Sequence, residues 1–186
     1  MKFYNREKEL TNLKKIEKAS KESAKMTTIV GRRRIGKTTL IKEAYPEKLY
    51  LFVSKKNEAL LCEEFVKIVE YQLEVKIFGE IKKFNELFEY LMQLSTTRAF
   101  TLIIDEFQEF LNINKSLYSD MQNIWDSYKD KSQMNLVLSG SIYSLMKKIF
   151  EDKKEPLFGR ANSKMELKAF SVVTLKEILE DYYPTY

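Results

Sequence analysis

The sequence has no histidine and a single cysteine, Cys62. The first absence removes the commonest zinc ligand and the commonest general base at neutral pH. The second rules out a disulfide framework within the chain. A metal here must be a hard ion held by oxygen, with a phosphate as a natural further ligand. No apolar run approaches the length that spans a bilayer. The amino-terminal MKFYNREKEL lacks the apolar stretch of a secretory signal. These absences favour the cytoplasm. There is no convincing Asn/Thr-x-x-Asp run of the kind that reads guanine, no internal repeat and no low-complexity linker.

What remains is a globular composition, with 186 residues, 44% apolar and 32% charged. That length favours one domain, and the many Tyr and Phe residues supply a core. The formal net charge of +5 permits binding to nucleic acid or an anionic surface. Lys14, Lys15, Lys18 and Lys21 fall partly on one helical face. The plain reading of that face is a solvated surface.

Strand and helix patterns alternate. A helix is expected before residue 25, capped by Asn5 or Thr11, with Leu10, Leu13 and Ile16 as its apolar stripe. Met26–Val30 reads as a strand, and KTTLIKEAY as a helix ended by Pro46. LYLFV at 49–53 is almost wholly apolar, as a strand buried on both faces should be. Helices are expected over 60–73 and 84–94, then a buried strand, FTLII, at 100–104. A helix over 116–129, a strand at 136–138, a helix over 142–149, a strand at 165–167 and a helix over 172–182 complete the pattern. Such alternation predicts an α/β fold, a mostly parallel sheet with helices on both faces. Ligands of such sheets bind beyond the carboxyl ends of the strands.

Three motifs fall at those ends. GRRRIGKT at 31–38 fits G-x-x-x-x-G-K-T without a mismatch, after a strand and before a helix. Gly31, Arg32, Arg33, Arg34, Ile35, Gly36, Lys37, Thr38 and Thr39 would wrap a nucleotide's phosphates with backbone N–H groups. Lys37 would reach the β- and γ-phosphates, Thr38 would ligate Mg²⁺, and Thr39 would touch the α-phosphate. The three arginine side chains would point away from the cradle. Asp105, at the end of FTLIID, is placed to hold Mg²⁺ through water, and Glu106 to polarise the attacking water. Ser139, after LVL, can sense the γ-phosphate, or it and Ser141 can cap the next helix. Arg160, in PLFGR, can neutralise charge on the transferred phosphoryl group, in cis or from a neighbour, or sit on the surface.

Together these segments resemble the archaeal-type P-loop ATPase family, within the STAND branch of AAA+-related NTPases. FYNREKEL resembles its F-x-x-R-x-x-E-L box, and GRRRIGKTTL its phosphate loop. LIIDEFQEF resembles its acidic strand end, LVLSGSIYSLM its sensor strand, and PLFGRANSKMELKAFS its GR segment and last strand. The resemblance implies a three-layer P-loop NTPase fold. It implies an Asn5–Arg6 box near the adenine, with Arg6 and Glu9 fixing the amino-terminal segment. Family members continue into a helical lid and a winged-helix domain, and residues 1–186 resemble the core without them. The expected function is Mg²⁺-dependent ATP binding with slow hydrolysis to ADP and phosphate. The alternative is a nucleotide-regulated switch for a protein or DNA partner, with little turnover of its own.

Overall fold

The computed structural model describes residues 4–183. Phe3, the first residue of the amino-terminal box, lies outside them. Five strands form one parallel sheet: β1 (Lys25–Val30), β2 (Leu49–Phe52), β3 (Phe100–Asp105), β4 (Met134–Gly140) and β5 (Ser163–Glu166), in the order β2-β3-β4-β1-β5. The helices are α1 (Glu7–Ser20), α2 (Lys37–Ala44), α3 (Glu58–Leu73), α4 (Phe84–Leu94), α5 (Phe110–Ile113), α6 (Leu117–Tyr128), α7 (Tyr143–Glu151) and α8 (Val172–Tyr182).

Side chains alternate across the sheet, so each strand feeds two cores. Ile103 and Val137 join Ile29 beneath α1 and α2, where Leu13, Leu40, Ile41 and Tyr45 are buried. Leu102, Ile104, Leu136 and Leu138 face the other way, into a larger core with Leu61 and Phe65 of α3, Leu87 and Phe88 of α4, and Trp125 of α6. The result is the expected three layers.

β2 departs from expectation. It lies at an edge, Phe52 is 51% exposed, and Tyr50 is half-buried. An apolar run registers burial of most of its side chains, not a neighbour on each side. Two further corrections concern caps. Neither Asn5 nor Thr11 caps α1; Thr11 Oγ1 donates to the Glu7 carbonyl inside the helix, 2.7 Å away. Neither Ser139 nor Ser141 caps α7, which starts after Ile142 without a side-chain cap.

Strand order prepares the site. The chain leaves β1 toward β2 at one edge and leaves β4 toward β5 at the other. Connections that depart in opposite directions open a crevice between β1 and β4, at the carboxyl ends of both.

Candidate nucleotide site

Residues 31–36 bend sharply between β1 and α2. Gly31 N–H donates to the Gly140 carbonyl at 3.3 Å, tying the loop to the end of β4. A Cβ on Gly31 would meet the Leu167 carbonyl at 3.0 Å. Arg34 and Gly36 are left-handed, at φ +63° and +91°, which curls the chain so that α2 starts at Lys37. Arg32, Arg33 and Arg34 are exposed, as their outward reading requires.

Lys37 is almost buried, and its Nζ donates to the carbonyls of Gly31 (2.6 Å) and Arg32 (3.1 Å). Burial lowers its pKa, Glu106 and Asp105 act in the opposite direction, and Arg33 adds to the lowering. The ammonium therefore lies within the field of the acidic pair. Thr38 and Thr39 are exposed on the first turn of α2.

The acidic pair ends β3. Ser139 Oγ donates to Asp105 Oδ1 at 2.6 Å, and the Glu106 N–H donates to the same oxygen at 3.0 Å. Tyr50 Oη donates to Asp105 Oδ2. Glu106 sits at φ +55°, a conformation that costs a non-glycine residue about 1 kcal/mol or more. It turns the strand at once into a 3₁₀ turn, Phe107–Glu109. Phe107 locks that turn. Its ring lies 5.3 Å from Tyr118, 5.8 Å from Phe150 and 6.0 Å from Phe110. Such pairs contribute about 0.5–1.5 kcal/mol each beyond burial. The aromatic after the acidic pair thus holds Glu106 against its unfavourable backbone angle. The Glu106 carboxylate accepts from Ser141 Oγ (2.7 Å) and from the Gln108 amide at Oε2. Gly140 makes room for Gln108, because a Cβ there would fall 2.5 Å from Gln108 Oε1.

The amino-terminal box reaches the same edge. Arg6 pairs with Glu9 at 3.0 Å, donates to the Lys168 carbonyl and covers the Phe170 ring at 4.9 Å. Asn5 Nδ2 donates to Thr174 Oγ1 at 2.9 Å. Lys168 follows Leu167, whose carbonyl abuts Gly31, so this box stands beside the phosphate loop.

Arg160 does not come to the loop. It precedes β5, and the neighbouring Asn162 N–H donates to the Met26 carbonyl at the start of β1. In a parallel sheet that is the amino-terminal edge, roughly 16 Å from Gly31 at about 3.3 Å per residue. Its guanidinium grips Asp126 Oδ2 through Nη2 (2.6 Å) and Nε (3.1 Å), and donates to the Pro156 and Phe158 carbonyls. Arg160→Ala is expected to leave phosphate release unchanged and to cost about 1 kcal/mol of stability, the upper range for an exposed pair. A slower release rate at unchanged ATP affinity would mean that Arg160 serves a neighbouring molecule's site.

Sequence reasoning missed Tyr50, Gln108 and the Ser141–Glu106 contact. The one available signal for Tyr50 was a hydroxyl inside an otherwise apolar strand.

Comparison with known proteins agrees with this fold. Residues 3–184 match the family described as an ATPase domain predominantly from Archaea. An uncharacterized protein of Methanocaldococcus jannaschii, MJECL04, is 28% identical over 177 residues, 94% of this chain and 38% of the relative. The Walker-type ATPase paby2304 of Pyrococcus abyssi superposes with a TM-score of 0.69 at 21% identity, over 99% of this chain and 60% of that one. The Aeropyrum pernix ORC1 protein, solved in complex with DNA, gives 0.67 at 14% identity, over 97% of this chain and 49% of that one. The chain thus spans less than two thirds of each of these longer proteins. No helix among the described residues is long and apolar enough to cross a membrane.

Proposed function

Because the chain belongs to the ATPase-domain family found predominantly in Archaea, we propose that it binds ATP with Mg²⁺ and hydrolyses it slowly to ADP and phosphate. The observation that carries this reading is the meeting of the 31–38 loop with the acidic strand end at the crevice between β1 and β4, Gly31 bonded to Gly140 and Ser139 of the same strand bonded to Asp105.

The donor set suits Mg²⁺. Among the described residues no group of three or more His, Cys, Asp or Glu forms a metal cage. Thr38 and Asp105 offer a hydroxyl and a carboxylate, and Mg²⁺ is commonly held by one carboxylate together with phosphate oxygens and waters. When bound, the ion would neutralise charge on the β- and γ-phosphates. The residues of this chain do the rest. The 31–38 backbone and the amino end of α2 hold the phosphates. Lys37 exchanges two backbone carbonyls for phosphate oxygens. Glu106 accepts a proton from the attacking water, and Ser139 holds Asp105 in place. Ser139's only proton is given to Asp105, so its response to the γ-phosphate runs through that carboxylate. Asn5 and Arg6, with Phe170 beneath the guanidinium, offer a surface for the adenine.

One observation favours a second reading, a nucleotide-regulated switch with little turnover. Ser141 and Gln108 both bond Glu106 Oε2, so that half of the carboxylate is occupied before any water arrives and only Oε1 remains for it. Under that reading ATP orders a surface for a protein or DNA partner, as a neighbour bound to DNA suggests. Residues 1–186 are then a core to which a lid and a winged-helix domain would belong. With a single buried cysteine, Cys62, whose thiol burial pushes to about 12, we assign the cytoplasm.

ATP binding and phosphate release, measured with and without Mg²⁺ and with DNA titrated in, test both readings. Mg²⁺-dependent release supports the ATPase. Tight binding with no release supports the switch. Absence of ATP binding overturns both.

A further inference from the structure

Asp105 is held more completely than water-mediated metal binding requires. A carboxylate oxygen accepts about two hydrogen bonds. Oδ1 takes one from Ser139 and one from the Glu106 N–H, so it is full. Oδ2 takes one from Tyr50 and keeps one site open. Tyr50 stands opposite Ile103 in the β2–β3 register, and its ring packs against the core under α1 and α2. Its hydroxyl thus reaches the carboxyl end of the sheet from a fixed base.

Tyrosine carries one O–H, and this one is given to Asp105 Oδ2. The carboxylate is thereby held from both sides, and only the remaining Oδ2 site is left for a metal ion or its water.

We propose that Tyr50 is the positioning residue of the magnesium half of the site. Through its hydrogen bond to Asp105 Oδ2 it aims the last open carboxylate site at the ion. This inference rests on the ATP reading above. Tyr50 touches neither nucleotide nor metal, and acts on the affinity for Mg²⁺ rather than on the phosphate cradle. Partners that orient metal ligands in this way typically account for about 10- to 100-fold in metal affinity.

The test is calorimetric titration of the β,γ-imido analogue of ATP, first in EDTA and then in Mg²⁺, into the wild-type protein and Tyr50→Phe. The variant is expected to match the wild type in EDTA within about twofold and to lose about 10- to 100-fold of the Mg²⁺-dependent gain. A full Mg²⁺ gain in Tyr50→Phe overturns the proposal and leaves the ATP reading standing. So does an equal loss in EDTA and Mg²⁺, because Tyr50 would then shape the whole pocket. A wild type that binds no analogue overturns the ATP reading and this proposal with it. Should Tyr50→Phe fail to fold, 3-fluorotyrosine at position 50 alone keeps the ring and hydroxyl. Its ¹⁹F resonance is expected to move when Mg²⁺ joins the nucleotide complex, and a fixed resonance overturns the proposal.

Discussion

Glu106→Gln is expected to leave ATP binding within about twofold and to slow phosphate release by about 100- to 10,000-fold, the usual contribution of a positioned general base. The amide keeps the size of the carboxylate. Its oxygen can still accept from Ser141 Oγ, which now donates to Glu106 Oε2 at 2.7 Å. The left-handed backbone at this position and the Phe107 anchor behind it are untouched. What disappears is the carboxylate oxygen, Oε1, that is left for the proton. Asp105 is no substitute, because Ser139, Tyr50 and the Glu106 N–H leave it a single open site, and on the ATP reading that site faces Mg²⁺. The chain has no histidine to take over. Single-turnover phosphate release checks this, with nucleotide affinity measured on the same sample. Unchanged release would assign the proton to another group.

The parts of this site that were legible in the sequence share one property: each follows directly on its own strand. The 31–38 loop, the Asp105–Glu106 pair and Ser139 could be placed because a parallel α/β sheet sends all its carboxyl ends to one side. The same rule should have placed Arg160. It precedes the last strand rather than following it, so a parallel sheet puts it at the opposite edge, where it is found with Asp126. A local GR pattern says nothing of direction along the strand.

The contacts that were not legible depend on strand order. Tyr50 meets Asp105 because β2 pairs with β3, and sequence periodicity does not say which strands are neighbours. Ser141 meets Glu106 across the junction of β4 and β3 for the same reason. The segment Phe107–Ile113 was missed because a three-residue turn and a four-residue helix are too short to show a 3.6-residue period. Helix starts with local caps were easier. Ser171, directly before α8, accepts from the Thr174 N–H. At α1 the expected cap failed, because Arg6 is drawn to Glu9 in the first turn and to the Lys168 carbonyl, which lies 162 residues away in sequence.

Lys37→Ala carries the second large effect, and it separates binding from folding. In the free protein the ammonium is nearly buried, and burial disfavours its charge. Removing it relieves that burial and also loses the hydrogen bonds to the Gly31 and Arg32 carbonyls, two opposing effects, so the variant is expected to melt close to the wild type without nucleotide. With ATP the two proteins differ. On the proposed ATP reading Lys37 supplies the point charge for the β- and γ-phosphates, and truncating one partner of a buried charged pair costs about 2–5 kcal/mol, roughly 30- to several-thousand-fold in affinity. At ATP a hundredfold above its dissociation constant the wild type gains about 2.7 kcal/mol of stability from ligand alone. A variant weakened by about a hundredfold gains about 0.4 kcal/mol at the same concentration. Thermal unfolding with and without ATP reads both numbers in one experiment. Equal ATP-induced shifts in the two proteins would remove Lys37, and with it the 31–38 loop, from the nucleotide site. A variant that melts far lower before ATP is added would make Lys37 a structural strut between Gly31 and Arg32 instead.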